Sequence, residues 1–459
     1  MNESTHPPTH YPTPNKAIPE SALLLSQYVQ YASLSGHEIE AGEFITAICE
    51  KKGLHIQHFG KKEANYNMAA SLYPLSSAKP NLVFINHIDV VEAKELASWK
   101  YPPFSGKIAE GCVWGRGAYD NKGSTVLNLM AISHFVERAK REDLPHNVTM
   151  LCLSDEERFG DGGAIYVADH FADQLYAAAV IGEGPVGVVG VIPTKPQQRM
   201  FGISNVHKRA LWLKLKSTIS TNSHGSVDPA KSANKIMINA LCRLGQWKKH
   251  LYLSKANLGV IKVMGKYAGG TLGWLLRRPA LIKPLLPFII RREALIEAMF
   301  SDSISITQIH TNGQAHNVIP NSIEALLDCR LMPETDTTLF LNQLRKVIKS
   351  PSIEIEIVKE TPKAAPTSVD HPVFGMLAKA IQEEYPYAGV FPMLIPITSD
   401  SNTFRAKGIP TFSSVPVEMS RDEVEALHGP NERMPIEALE RGIKVHKRFI
   451  STFLESTAI

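Results

Sequence analysis

Apolar residues change their spacing twice along this chain. Up to about residue 203, short apolar runs alternate with stretches of helical spacing. Helices are predicted to begin near Glu20 and near Ala41, and a third, rich in Leu, Val and Met, to run from Gly123 to about Lys140. Leu82–Asn86, Val148–Leu153 and Ala177–Ile181 read as buried strands. Strands that alternate with helices predict an α/β layer, a sheet with helices on both faces.

The pattern shifts after about Ser204. Arg209–Lys216, RALWLKLK, alternates apolar and charged residues with a period of two, the signature of a strand with one wet face. A helix is predicted from Asp228 as N-cap, with Pro229 in its first turn, to Leu244. Ser303–Ile309, Ile323–Leu331 and Ile353–Val358 read as strands and Thr337–Lys349 as a helix, a small α+β module with an antiparallel sheet. The α/β pattern returns near His371 and closes in a helix where Ile436, Leu439, Ile443, Phe449 and Phe453 keep helical spacing.

One segment interrupts the small module. Gly269–Phe300 mixes apolar runs with Arg277, Arg278, Lys283, Arg291 and Arg292. It suits a membrane-surface or substrate-gating element, or a helical hairpin packed on the small module or on another subunit. Pro279, Pro284 and Pro287 break any single amphipathic helix, and the hairpin is the reading preferred from the sequence.

Length and composition narrow the classes. At 459 residues the chain exceeds what one hydrophobic core usually serves. A net charge of +4 is too weak to point to nucleic acid. Five dispersed cysteines with no CxxC pair suit a reducing compartment. Residues 1–16 are polar and proline-rich and are expected to be flexible. They lack the apolar core of a signal peptide, and no run approaches the ~20 apolar residues of a membrane span, so a cytoplasmic location without membrane association is expected.

Candidate chemistry gathers at the ends of the apolar runs. Leu82–Ile85 leads to His87, with Asp89 two residues on and Asp120 just before Lys122-Gly123-Ser124. Ligands of open α/β sheets bind beyond the carboxyl ends of the strands. Glu156 and Glu157 follow the strand VTMLCL, Glu183 follows the strand ending at Ile181, and His428 opens an HGPNE run ahead of the last helix. Each stretch alone also suits a solvated turn. Two adjacent carboxylates at a buried strand end are costly unless cations neutralise them. Taken together, His87, Asp120, Glu157, Glu183 and His428 supply the ligands of two divalent ions, zinc by preference, with cobalt or manganese as substitutes. Asp120 bridges the ions with its two oxygens, Asp89 holds the second nitrogen of His87, and Glu156 is left free as a base.

In order, HIDVV, WGRGAYDNKG, SDEERFGDGGA, NVIPN with DCR, SDSNTFRAKGIP and HGPNE resemble the motif series of the M20 metallopeptidases across most of the chain. Trp99–Gly106 and the long insertion before Asn317 are most similar to the carboxypeptidase S and N-acyl-amino-acid hydrolase branch. The resemblance implies a zinc-peptidase-like catalytic domain over 1–203 and 361–459, and a lid domain over 204–360 that is often the dimerisation surface. It implies two zinc ions per chain, one on His87, Asp120 and Glu183, the other on Asp120, Glu157 and His428. Glu156 matches the general base, and the bond after Asp120 matches a position often cis. Thr221–Ser226 resembles the lid histidine motif, so His224 is expected to donate to the oxyanion, across a dimer interface in some arrangements. The local TNSHGS departs from the family's more usual glycine-histidine form. Asn317 and Arg330 match substrate-contacting lid residues, with a strand-surface ion pair as the alternative for Arg330. Arg405 is a further candidate for holding a carboxylate by a two-pronged contact.

The expected function is hydrolysis of an amide or peptide bond next to a free carboxylate, on a small peptide or an N-acyl amino acid. A carboxypeptidase and an aminoacylase-type hydrolase remain the two branches of that reading. A non-catalytic binding protein on the same fold is the alternative from another class. The presence of all five ligand candidates and of Glu156 speaks against it.

Overall fold

The computed structural model describes residues 17–60, 65–192, 194–219, 224–227, 229–253, 255–282, 284–291, 294–312 and 315–457. The expected tail at 1–16, residues 221–223 of the lid histidine run and the expected cap Asp228 lie outside them.

Twelve strands carry the architecture. They are β1 (His55–Phe59), β2 (Asn67–Ser71), β3 (Asn81–His87), β4 (Asn147–Leu153), β5 (Ala177–Gly182), β6 (Met200–His207), β7 (Arg209–Thr218), β8 (Ser303–Thr311), β9 (Ser322–Leu331), β10 (Ile353–Glu360), β11 (Gly389–Ile395) and β12 (Thr411–Ser413). The large sheet runs β1-β2-β4-β3-β5-β12-β6-β11, with Gly187–Val188 added beside β6. Its centre is parallel, since β3 pairs in parallel with β4 and β5, and β5 with β12. Antiparallel pairs at β1–β2 and β2–β4 make it a mixed sheet.

Alternation along the central strands builds both core layers. Leu82 and Phe84 of β3 and Val148, Met150 and Cys152 of β4 face one cluster. Val83, Ile85, Leu151 and Leu153 face the other. Successive side chains of a strand point to opposite faces, so continuous apolar runs are what a strand covered on both sides requires. The final helix, Ile436–Leu454, closes the first layer against Lys122–Ser133 and Pro372–Glu384, burying Leu439, Ile443, Phe449 and Phe453. The helix expected over Gly123–Lys140 is two helices, Lys122–Ser133 and Val136–Arg141.

The second sheet is antiparallel throughout, in the order β8-β9-β7-β10. Leu211, Leu213 and Leu215 of β7 bury against Met237, Leu241, Phe340 and Leu344. On the wet face, Lys214 pairs with Glu356 and Lys216 with Glu324, each directly opposite in the register. The helix expected to start at Asp228 begins at Ala233, where the Ser232 hydroxyl accepts from the Lys235 amide.

One boundary moves. β6 stays in the large sheet to His207, so the chain switches sheets at Lys208 rather than at Ser204. The helix just ahead of the 269–300 insertion packs on the large sheet. Helix Lys255–Ala268 lays Val260, Val263, Met264 and Tyr267 on Met200, Phe391 and Met393 of the large sheet. Beyond it come Gly270–Leu276, Pro279–Ile282, Leu286–Ile290 and Ala294–Phe300, short helices parted near the prolines. Ile282, Leu286 and Ile290 close onto Ile261 and Phe300.

Candidate metal centre

His87 ends β3, Glu183 lies just past β5, and Glu156 and Glu157 form a single helical turn just past β4. Asp120 precedes helix Lys122–Ser133 across the cis bond to Asn121. His428 lies in the loop before the final helix, in the left-handed region at φ 57°. Parallel strands end side by side, so their C-terminal residues meet.

The structure brings all five ligand candidates together. Asp120 Oδ1 is 3.0 Å from His87 Nε2, and Oδ2 is 3.1 Å from His428 Nε2. Glu183 Oε2 lies 3.4 Å from His87 Nε2, and Glu157 Oε1 lies 3.4 Å from His428 Nε2. The cluster thus splits into two triads that share Asp120. Two ligands each ~2.0–2.1 Å from one tetrahedral ion sit about 3.3 Å apart, close to these spacings.

The donor chemistry fits cations. His87 Nδ1 lies 2.9 Å from the Asp89 carbonyl oxygen and donates to it. Its Nε2 then faces two carboxylates, an arrangement that calls for a proton or a metal ion. Glu157 Oε1 is buried with no hydrogen bond. With imidazolium as the only cation, the Asp120 carboxylate bonded to it and the Glu157 carboxylate beside it push His428 up to about 10. His87 also rises well above its ordinary range. Burial opposes the rise, but hydrogen bonds with Asp120, Asp89 and Glu183 outweigh it.

Glu156 is the carboxylate left over. One of its oxygens lies within 4.8 Å of donor atoms on His87 and Glu183. Burial, then the neighbouring charge of Glu183, pushes it well above the usual carboxylate range.

Asp89 grips the site from behind, though differently from the simple contact expected. Its carbonyl, rather than its carboxylate, is nearest His87, with Oδ1 at 3.4 Å. The carboxylate accepts from the Glu156 amide at 3.1 Å, the Glu157 amide at 3.0 Å and the Ser35 hydroxyl at 2.7 Å. Those donors and His87 help hold it below its ordinary range although it is fully buried.

Three supports escape the sequence reading. Glu432, fully buried, accepts from the Tyr119 and Asp120 amides at 3.1 Å and from Arg116 at 2.5 Å. Asn121 donates to Glu183 Oε2 at 3.0 Å. Asp400, at the start of helix Asp400–Ala406, faces Glu183 and His87, and burial lifts it well above its usual range. Gly160 has φ +67°, and a Cβ there meets Asp400 at 2.9 Å, so this turn admits only glycine comfortably. Asp400 carries the same signal as Glu183, a carboxylate following an apolar strand.

The lid candidates divide. His224 and Asn317 meet, with the Asn317 amide 3.0 Å from His224 Nε2, while Nδ1 is 2.9 Å from Ser226 Oγ. Among the described residues, no hydrogen bond or ion pair joins this pair to the carboxylate cluster. Arg330 makes the strand-surface ion pair, two-pronged to Asp328 at 2.7 and 2.9 Å. Arg405 is 5% exposed at the sheet end, and its guanidinium bonds to His207 Nδ1, the Thr411 carbonyl and the Thr367 hydroxyl. The loop that follows Glu156 and Glu157 touches the antiparallel sheet, where Phe159 stands edge-on to Trp212 at 4.0 Å and Asp161 pairs with Lys359.

The profile of peptidase family M20/M25/M40 matches residues 83–452. The chain is 24% identical over 379 residues to the probable carboxypeptidase S-like 2 of Dictyostelium discoideum, covering 81% of this chain and 72% of that protein. It is 26% identical over 391 residues to the N-fatty-acyl-amino acid synthase/hydrolase PM20D1 of Mus musculus, covering 83% and 76%. In fold it is similar to the M20 family metallo-carboxypeptidase Sso-CP2 from Sulfolobus solfataricus, with a TM-score of 0.71, 21% identity and coverage of 95% and 100%.

Proposed function

The chain belongs to peptidase family M20/M25/M40, whose members hydrolyse peptide or amide bonds, and on that premise we propose a two-zinc hydrolase that cleaves the amide beside a free carboxylate. One observation carries the reading. The two oxygens of Asp120 face two different imidazoles, and each imidazole has a second carboxylate at 3.4 Å.

His87, Asp120 and Glu183 are assigned to one ion, and Asp120, Glu157 and His428 to the other. Bound there, the zinc pair supplies Lewis acidity toward the scissile carbonyl and the attacking water. Glu156 takes the proton of that water and returns it to the leaving amine. Asp89 is a positioning residue that fixes the backbone of both glutamates. His224 is assigned to donate to the oxyanion from the lid. Asn317 now engages its Nε2, so this donation requires the amide to turn away. The lid is the proposed surface for homodimer formation.

The substrate is a short peptide in the carboxypeptidase reading. A second reading, an N-acyl amino acid, is supported by likeness to the mouse hydrolase and by the apolar insertion. The test measures metal content and hydrolysis of dipeptides and N-acyl amino acids, as purified, after chelation and after zinc is restored. Two ions per chain, with cleavage lost and regained, is the expected result, and the cleaved class decides between the readings. A protein that binds no metal after zinc addition overturns the ligand assignment.

A further inference from the structure

The insertion is apolar on two faces. One face, Ile282, Leu286 and Ile290, is buried in the protein. The other is exposed: Leu281 at 60% on helix Pro279–Ile282, Leu285 at 60% in the turn that follows, and Phe288 at 71% on helix Leu286–Ile290. Leu272 and Trp274, at 41% and 47%, are further exposed apolar side chains of the insertion, on helix Gly270–Leu276. Large contiguous apolar patches on a water-soluble face mark interaction sites.

Charge identifies the partner. From Gly269 to Phe300 the sequence contains Arg277, Arg278, Lys283, Arg291 and Arg292 against Glu293 and Glu297, and Arg291 pairs with Glu297 at 3.7 Å. Arg277 and Arg278 are exposed at the head of the apolar strip. The Arg278 guanidinium lies 4.5 Å over the Trp274 ring, an amphipathic pair of the kind that settles at a headgroup boundary. A protein partner would need an acidic rim around an apolar groove, whereas an anionic bilayer offers both properties without a specific fit.

We propose that residues 270–282 and 284–291 form a docking surface for anionic phospholipid bilayers. Leu281, Leu285 and Phe288 enter the headgroup boundary while Arg277 and Arg278 lie against lipid phosphates. Among the described residues no helix is long and apolar enough to cross a membrane, so the contact is peripheral. It is independent of the reaction assigned above.

The test is flotation of the full chain with phosphatidylcholine vesicles, with and without phosphatidylglycerol, at low and high salt. The protein is expected to float with the phosphatidylglycerol vesicles at low salt and to be released as salt rises. Neutralisation of both arginines, Arg277→Gln with Arg278→Gln, lowers partitioning on the order of thirtyfold. Leu281→Glu with Leu285→Glu abolishes flotation and leaves the melting temperature and amide hydrolysis unchanged, because both side chains are already in water. Wild-type protein that stays at the bottom of the gradient overturns the proposal. So does a Leu281/Leu285 double variant that floats like wild type. A concentration-dependent dimer lost in that double variant, without flotation of either protein, assigns the strip to a second copy and equally overturns it.

Discussion

Replacement of Glu432 by glutamine tests whether the Asp120 carboxylate is aimed by a buried charge behind it. The side chain is fully buried and serves the Arg116 guanidinium and the Tyr119 and Asp120 amides. Glutamine keeps the volume and one acceptor oxygen, but turns an amide toward Arg116, which is 1% exposed. Arg116 retains one bond to the Gly429 carbonyl at 3.1 Å and its place over the Trp99 ring. Stranding one member of a buried ion pair costs about 3–5 kcal/mol. The Glu432→Ala variant also leaves both amides without an acceptor, a further ~1–3 kcal/mol. Urea unfolding under chelation measures stability free of metal linkage. Competition with a chromogenic chelator measures zinc affinity, expected to weaken about 10–100-fold as it does when ligand supports are lost. Arg116→Met with Glu432→Leu should recover much of the stability but not the affinity. A Glu432→Gln protein within about 1 kcal/mol of wild type refutes the energetic argument. Lost stability with unchanged zinc affinity refutes the aiming role.

Three other outcomes are expected. Glu156→Gln keeps its metal and loses roughly 10²–10⁴ in kcat, which parallel metal analysis and turnover assays check; full activity sinks the base assignment. Asp89→Asn weakens zinc binding about 10–100-fold, because the amide group cannot accept from Ser35, Glu156 and Glu157 together. Burial pushes His446 down to about 3, and its Nε2 has no hydrogen bond. Its native state is neutral, so the stability it allows is complete above the unfolded pKa of about 6.5 and is lost as pH falls toward 3. That amounts to about 2 kcal/mol by pH 5, read from urea midpoints at pH 7 and 5; an unchanged slope in His446→Gln contradicts it.

Much of the site is legible because its residues obey a local rule. His87 and Glu183 end or follow apolar runs, and parallel strands carry such ends to one edge. Supports that depend on distance along the chain are not legible in this way. Glu432 and Arg116 are 316 positions apart, and no spacing links them. Arg405 shows the limit of residue type: the guanidinium was read correctly as a donor, but its direction is set by His207 and Thr411. The pattern shift placed near Ser204 falls inside β6, whose residues Met200–His207 are all buried although they include Gly202, Ser204 and Asn205. Within the insertion, Ile282, Leu286 and Ile290 close onto Ile261 and Phe300, a local packing that the broken apolar spacing around Pro279, Pro284 and Pro287 does not spell out.

The strand order also dictates a timetable during synthesis. A ribosome that has delivered residues up to Gly182 has released β1 to β5, which pair with one another. The outer edge of β5 must then wait for Thr411–Ser413, because β12 is its neighbour and β6 reaches β5 only through it. The whole lid is translated in that interval, and His428 comes later still. The nascent chain therefore carries an open parallel-strand edge, a template for intermolecular pairing, for more than two hundred codons. Proteostasis, rather than catalysis, is where this topology makes the protein most vulnerable, and chaperone dependence of its soluble yield should follow from the order in which its strands are made.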